Sequence, residues 1–259
     1  DMNKEEFKKI AYPETYADEI ELHNIFSFMR KEEPVSWVEP DQFRPFWAVT
    51  KHEDIIEIEK QNEFFINDPR TTLMDIPTEE AIKEFTGGSH LLVRTLVHMD
   101  NPDHQVYRSL TQKWFAPPNL QSLKINIRDI AREYVQKMIE HGSECDFAQD
   151  VAIFYPLRVI MSILGVPKED EPRMLRLTQE LFGGRDEDMI RDTEETSPES
   201  NTITDFFEYF NNLTEERRKN PTDDVASVIA NAEIKNEPLG YLEAMSYYVI
   251  IATAGHDTT

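Results

Sequence analysis

A chain of 259 residues, 39% hydrophobic and 30% charged, has the balance of a water-soluble globular domain and is long enough to bury a sizeable core. Its formal charge of −23 works against any role as a coat on nucleic-acid phosphates, and no apolar run approaches the roughly 18 residues of a membrane span. One cysteine, Cys145, rules out an internal disulfide or a Cys-based zinc site; with no apolar leader in DMNKEEFKKIAYPETY, the expected setting is reducing and cytoplasmic.

The segment Tyr16 to Glu33 predicts an amphipathic helix with Ile20, Ile25, Phe28 and Met29 on one side, ended by Pro34. Val35 to Val38 and Phe46 to Thr50 are short β-like runs separated by Pro40-Asp41 and Pro45, so a small hairpin is expected. His52 to Asn62 returns to a helical pattern. Asn67 to His98 is irregular, with Pro69, Pro77 and Gly87-Gly88 and room for a short helix at Glu79 to Phe85. A loop of that length is more often functional than idle.

From Pro102 onward the pattern is almost wholly helical. Asp103 to Phe115 predicts one helix, stopped by Pro117-Pro118, with Asn119 available to cap the next. There Leu120, Leu123, Ile127, Ile130, Tyr134 and Met138 recur at three- and four-residue steps, a core stripe. Phe147 to Leu164 is apolar on most sides and should be buried and kinked at Pro156. Pro172 to Phe182 is a further helix, Gly183 to Glu199 an acidic loop, and Thr202 to Lys219 and Asp223 to Ala232 two more helices. No repeat or low-complexity tract is present. Tyr241 to Thr253 is apolar almost all round, the mark of a helix central to a large fold. It stands six residues from the end of the sequence, so the chain is expected to be the front part of a longer protein.

Two constellations could carry chemistry. In the ending Ala254-Gly255-His256-Asp257-Thr258-Thr259, small residues would let something flat or bulky approach the backbone. A helical threonine hydroxyl can bond a carbonyl one turn back, and a buried Asp can move protons. The same residues could equally be a helix end with an Asp-Thr cap. In MDNPDHQVYR, His104 and Arg108 lie four apart on one helix face. They form either a clamp for carboxylates or a pair of ordinary surface residues.

Taken together, in this order and separation, MDNPDHQVYRSLTQKWFAP and AGHDTT resemble the C-helix segment and the oxygen-activation motif of the central I helix of the cytochrome P450 family. The resemblance runs over essentially the whole chain. It is strongest to the soluble bacterial terpineol-hydroxylating members, through Tyr155 to Met161, LGVPKEDEP and YYVIIATAGHDTT. Asn101 stands where the family more often has the first proline of a Pro-Pro pair. The fold implied is mainly α, with many helices and a small N-terminal β sheet, residues 1–259 being the N-terminal portion of a single domain. The family's Glu-x-x-Arg pair and cysteine ligand loop lie downstream of the I helix, outside this sequence. Cys145, in Gly-Ser-Glu-Cys-Asp-Phe, does not match the ligand context and reads as structural.

By this resemblance the cofactor is heme b. His104 and Arg108 would pair with a heme propionate, and Ala254 and Gly255 would lie over the distal face. Thr258 would hydrogen-bond bound dioxygen while Asp257 feeds it protons. His256 and Thr259 read as structural. Leu96 in the long loop, Leu181-Phe182, Ile250 and Thr253 would line the substrate pocket. The activity implied is hydroxylation of a small apolar molecule such as a cyclic terpenoid, with dioxygen and two electrons. Those electrons would come from a ferredoxin-type partner served by a separate reductase, since no Gly-rich flavin or nicotinamide turn is present. Lys113, Arg128 and Arg132 are candidate docking cations. The rival readings are an acidic helical scaffold without cofactor, and a hydrolase. The second lacks Gly-x-Ser-x-Gly and a two-histidine zinc helix.

Overall fold

The chain opens on a polar stretch in which Asn3 caps a single turn, α1 (Lys4–Phe7), and Pro13 starts a second short helix, α2 (Pro13–Ala17). These belong to a computed structural model that describes residues 3–142, 144–182 and 202–256. Helix α3 (Glu19–Glu32) begins three residues later than its pattern predicts. Asp18 leaves the helical region and accepts a hydrogen bond from the Glu21 amide, a cap that separates α2 from α3. Ile20 is therefore an exposed first-turn residue, whereas Ile25 and Met29, one turn apart, are buried.

Strands β1 (Val35–Val38) and β2 (Phe46–Val49) pair antiparallel, with Ser36 opposite Ala48 and Val38 opposite Phe46. Alternation turns Ser36 and Val38 inward and puts Trp37 and Trp47 in a cross-strand pair on the outer face, ring centroids 5.1 Å apart. The inner face closes a small core of Phe7, Ile10, Ile25, Met29, Val38 and Ala48. Helix α4 (His52–Glu59) follows. Within the long loop, α5 (Ile76–Thr86) is capped by Asp75 and stopped by Gly87 at φ +73, a left-handed position that suits glycine.

That loop is tied down by carboxylates. Asp100 accepts hydrogen bonds from the backbone amides of Asn67 and Asp68 and from the Asn67 side chain, at 2.9–3.1 Å, closing the base. In the middle, buried Glu79 of α5 accepts from Arg44 Nε at 2.5 Å and from Arg70 Nε. The Arg70 and Arg44 guanidinium groups outweigh the effect of burial and hold the Glu79 carboxyl down at about 2. Backbone bonding of Ile76 to Gln42 adds a further tie. Residues Asp1–Asp100 form one compact unit and Asn101–Thr259 another.

In the second unit the helices are α6 (Asp103–Gln112), α7 (Pro117–His141), α8 (Phe154–Leu164), α9 (Glu171–Phe182), α10 (Thr202–Lys219), α11 (Val225–Ala230) and α12 (Tyr241–Ala254). The two prolines expected to stop a helix instead begin one. Pro117 and Pro118 occupy the first turn of α7, where a missing N–H costs nothing, and Ala116 rather than Asn119 is the flanking residue. Likewise Pro156 lies in the first turn of α8. The stretch expected to be one kinked helix is a π turn, Ala148–Ala152, followed by α8. The α7 stripe holds, with Ile130 and Tyr134 buried and its other members half-buried.

Strands β3 (Glu233–Ile234) and β4 (Glu237–Pro238) form a hairpin around Lys235 and Asn236, both at positive φ, before Gly240 leads into α12. Helix α12 is buried over Ala244–Tyr248 and again at Ala252 and Thr253, packed against α8, α10 and α11. Tyr248 stacks on Phe210 at 4.6 Å and its hydroxyl receives a hydrogen bond from Thr214. Beside it, Arg217 bonds Asp224 at 2.7 Å and the Gly165 carbonyl at 2.9 Å. Burial works to raise the Asp224 carboxyl. The bonds from Thr222, the Ser227 amide and Arg217 outweigh that, and it stays below the ordinary range.

Candidate functional site

Near its C-terminal end α12 turns three different faces outward in three successive residues, as about 100° per residue requires. Ala254 is exposed. At Gly255 a Cβ would stand 2.1 Å from Ile160 Cδ1, so the space this glycine leaves is taken by α8 and not by an open cleft. His256 is buried, its Nδ1 3.2 Å from Thr178 Oγ1 in α9 and its Nε2 2.9 Å from the Ile153 carbonyl. Ile250, one turn before Ala254, is half-buried, so these two form the apolar stripe that the packing leaves open. Thr253 is buried, and its hydroxyl donates to the Val249 carbonyl at 2.6 Å.

Helix α6 is brought against this one. The buried Tyr247 hydroxyl donates to the Tyr107 carbonyl, one residue before Arg108. On α6, His104 is half-buried and Arg108 exposed. Neither has a hydrogen-bond or ion-pair partner among the described residues. Six residues past Arg108 the chain reaches Trp114, whose buried indole N–H has no acceptor among the described residues. An unmatched cation, an unmatched donor and an open apolar stripe suit a flat apolar group that carries carboxylates, which is the chemistry of heme.

The remaining expectations fall as follows. Asp257, Thr258 and Thr259 lie outside the described residues, as do Gly183 to Glu199 and the side chains of Leu181 and Phe182. Leu96 is half-buried in a single turn of the first unit, Leu96–His98, where the Thr95 amide donates to His98 Nδ1. Burial holds the His98 imidazole below its ordinary range, in keeping with an accepting, neutral ring. Cys145 lines a cleft of about 460 Å³ with Tyr134, His141, Asp150, Phe154 and Glu171. Of the docking cations, Arg132 pairs with Asp129 at 3.1 Å, and Lys113 and Arg128 are exposed. No described helix is long and apolar enough to cross a membrane.

Sequence reasoning missed the Tyr247–Tyr107 tie and both partners of His256. A buried tyrosine in an apolar helix was the available signal for the first. The His256 partners lie 78 and 103 residues away, and nothing local marks them.

No protein-family model matches the chain. A curated relative, Cytochrome P450-terp of a Pseudomonas species, is 38% identical over 97% of the chain and 61% of its own length. Linalool 8-monooxygenase of Pseudomonas putida is 26% identical over 95% of the chain and 60% of its own length. Among solved structures, CYP108D1 of Novosphingobium aromaticivorans is 42% identical with a TM-score of 0.84. The match takes in 99% of the chain and 61% of that protein. The chain thus spans about three-fifths of the length of each of these proteins.

Proposed function

The chain belongs to the cytochrome P450 family, and on that premise we propose that the protein is a heme-thiolate monooxygenase that hydroxylates a small apolar substrate, a cyclic terpenoid by preference. The observation that carries this is the tie, through Tyr247, between α12 with its open Ile250–Ala254 stripe and α6 with Arg108, which has no partner among the described residues. The names of two relatives, P450-terp and linalool 8-monooxygenase, support the terpenoid class.

When bound, heme b supplies the oxygen chemistry, and a cysteine thiolate tunes its iron. The chain's own residues supply the setting. Arg108 and His104 would hold a heme propionate through charge-assisted bonds. Ala254 would give a low wall that leaves space for dioxygen, and Gly255 lets α8 pack close behind it through Ile160. Ile250 provides an apolar surface for the substrate and keeps water from it, and Thr253 supports it from the buried side. Leu96 is assigned to substrate binding by the family resemblance alone. Asp257 passes protons inward, and Thr258 holds a hydrogen-bond donor at the point of use. No residue of this sequence is assigned to the iron, Cys145 included. Electrons come from a ferredoxin-type partner with its own reductase, in a cytoplasmic setting.

Expression from the complete coding sequence tests the reading. The protein should take up heme and, reduced under carbon monoxide, show the thiolate-heme absorption band. A colourless, folded product would overturn it and favour the helical scaffold.

A further inference from the structure

His256 occupies the position between Gly255 and Asp257 that the sequence pattern leaves open, yet its side chain is buried. Its ring spans three elements. Nε2 lies 2.9 Å from the Ile153 carbonyl, at the junction of the π turn and α8, and Nδ1 lies 3.2 Å from Thr178 Oγ1 in α9. A carbonyl only accepts, so Nε2 carries the hydrogen. In the neutral ring Nδ1 can only accept, and it shares the single Thr178 hydroxyl hydrogen with the Met174 and Leu175 carbonyls at 2.9–3.0 Å, so this is the weaker of the two links. A chain of bonds ending on a backbone carbonyl cannot pass a proton onward, so the geometry argues against a relay through this ring.

What it can do is hold. Gly255 packs on Ile160 with no room for a side chain, and His256, about 100° further round, bonds Ile153 and Thr178. These contacts oppose rotation of α12 about its axis. With Gly255 and His256 turned into protein, Ala254 is the residue left facing out. We infer that His256 is a positioning residue: by tying the end of α12 to α9 and to the start of α8, it sets the rotation that presents Ala254 to the bound group. The inference rests on the proposed function for what Ala254 faces, and on the contacts alone for the lock.

The test uses the full-length holoprotein with His256→Leu, His256→Gln and Thr178→Val. Leucine removes both bonds, glutamine retains a donor for the Ile153 carbonyl, and Thr178→Val removes only the other link. Hydrogen exchange is read at the Gly255 and His256 amides, bonded in the native protein to the Ile251 and Thr253 carbonyls. The fraction of NADH consumption that ends in product rather than peroxide is read in parallel. His256→Leu should speed exchange at both amides at least tenfold and lower the coupled fraction severalfold. His256→Gln should recover part of each, and Thr178→Val should fall between wild type and His256→Leu. Exchange within twofold of wild type in both Thr178→Val and His256→Gln, with unchanged coupling, overturns the inference, and this pair decides it if His256→Leu does not fold. A wild-type protein without the thiolate-heme band would sink the functional reading, while the amide exchange would still decide the lock.

Discussion

Tyr247 in α12 gives its hydroxyl hydrogen to the main-chain carbonyl of Tyr107 in α6. Burial holds the Tyr247 phenol above its ordinary range, so it remains a donor at any working pH. Tyr247→Phe should therefore cost about 1–2 kcal/mol at every pH, the lost bond plus a carbonyl left without this donor. Urea unfolding should show a lower midpoint with an unchanged slope. An unchanged midpoint would mean that the two helices are held together without this bond.

Arg108 behaves differently. It is exposed and unpartnered among the described residues, so Arg108→Ala should leave the stability of the heme-free protein within about 0.5 kcal/mol. Retention of heme should fall instead, read as faster transfer of heme to a scavenging apoglobin. Loss of stability without faster transfer would show that the arginine serves the fold.

Glu79 ties α5 to Arg44 and Arg70, and its folded-state value near 2 lies below the ordinary 4.5. The pairing thus stabilises the protein above pH 4.5, and that contribution is lost as pH falls toward 2. With the arginines 42% and 41% exposed, the contribution is on the order of 2 kcal/mol. The stability gap between wild type and Glu79→Gln should be wide near neutral pH and narrow at about pH 3. A gap independent of pH would place the effect of Glu79 in packing.

The buried pair in the second unit makes the sharpest stability prediction. Asp224→Ala would leave the buried Arg217 guanidinium with only the Gly165 carbonyl and the exposed Glu216 carboxylate, 3.1 Å away, at a cost of about 3 kcal/mol. Gly165→Ala should be comparably harmful. Gly165 has φ +72, and a Cβ there would sit 2.0 Å from Asp224 Oδ2. Thermal unfolding of both variants checks this, and a shift of less than a few degrees in either would refute the account.

Elements with strong periodicity could be read from the sequence alone. The α7 stripe from Leu120 to Met138, the bounds of α10 and the buried character of α12 all follow from apolar spacing. Proline was the main source of error. Pro117 reads as a stop yet sits in a first turn, where a missing N–H costs nothing, while the irregularity expected at Pro156 falls just ahead of it, as the π turn Ala148–Ala152. The Lys235-Asn236 hairpin escaped because its strands are two residues each, too short for alternation to show. For the candidate site, the residue types of α6 and α12 were legible from their motifs. The filling of the Gly255 space by Ile160 was not, because that contact spans 95 residues of sequence and depends on how closely α8 packs.

The fastening of Asn67 and Asp68 by Asp100 has an evolutionary corollary. The Asp100 carboxylate fixes where the intervening stretch leaves and rejoins the body of its unit, and the Glu79–Arg44 and Ile76–Gln42 ties fix its middle, so variation in length is cheap only in the segments between these fastenings. Selection can refit the segments between the fastenings to new molecules while Asn67, Glu79 and Asp100 keep the scaffold in place.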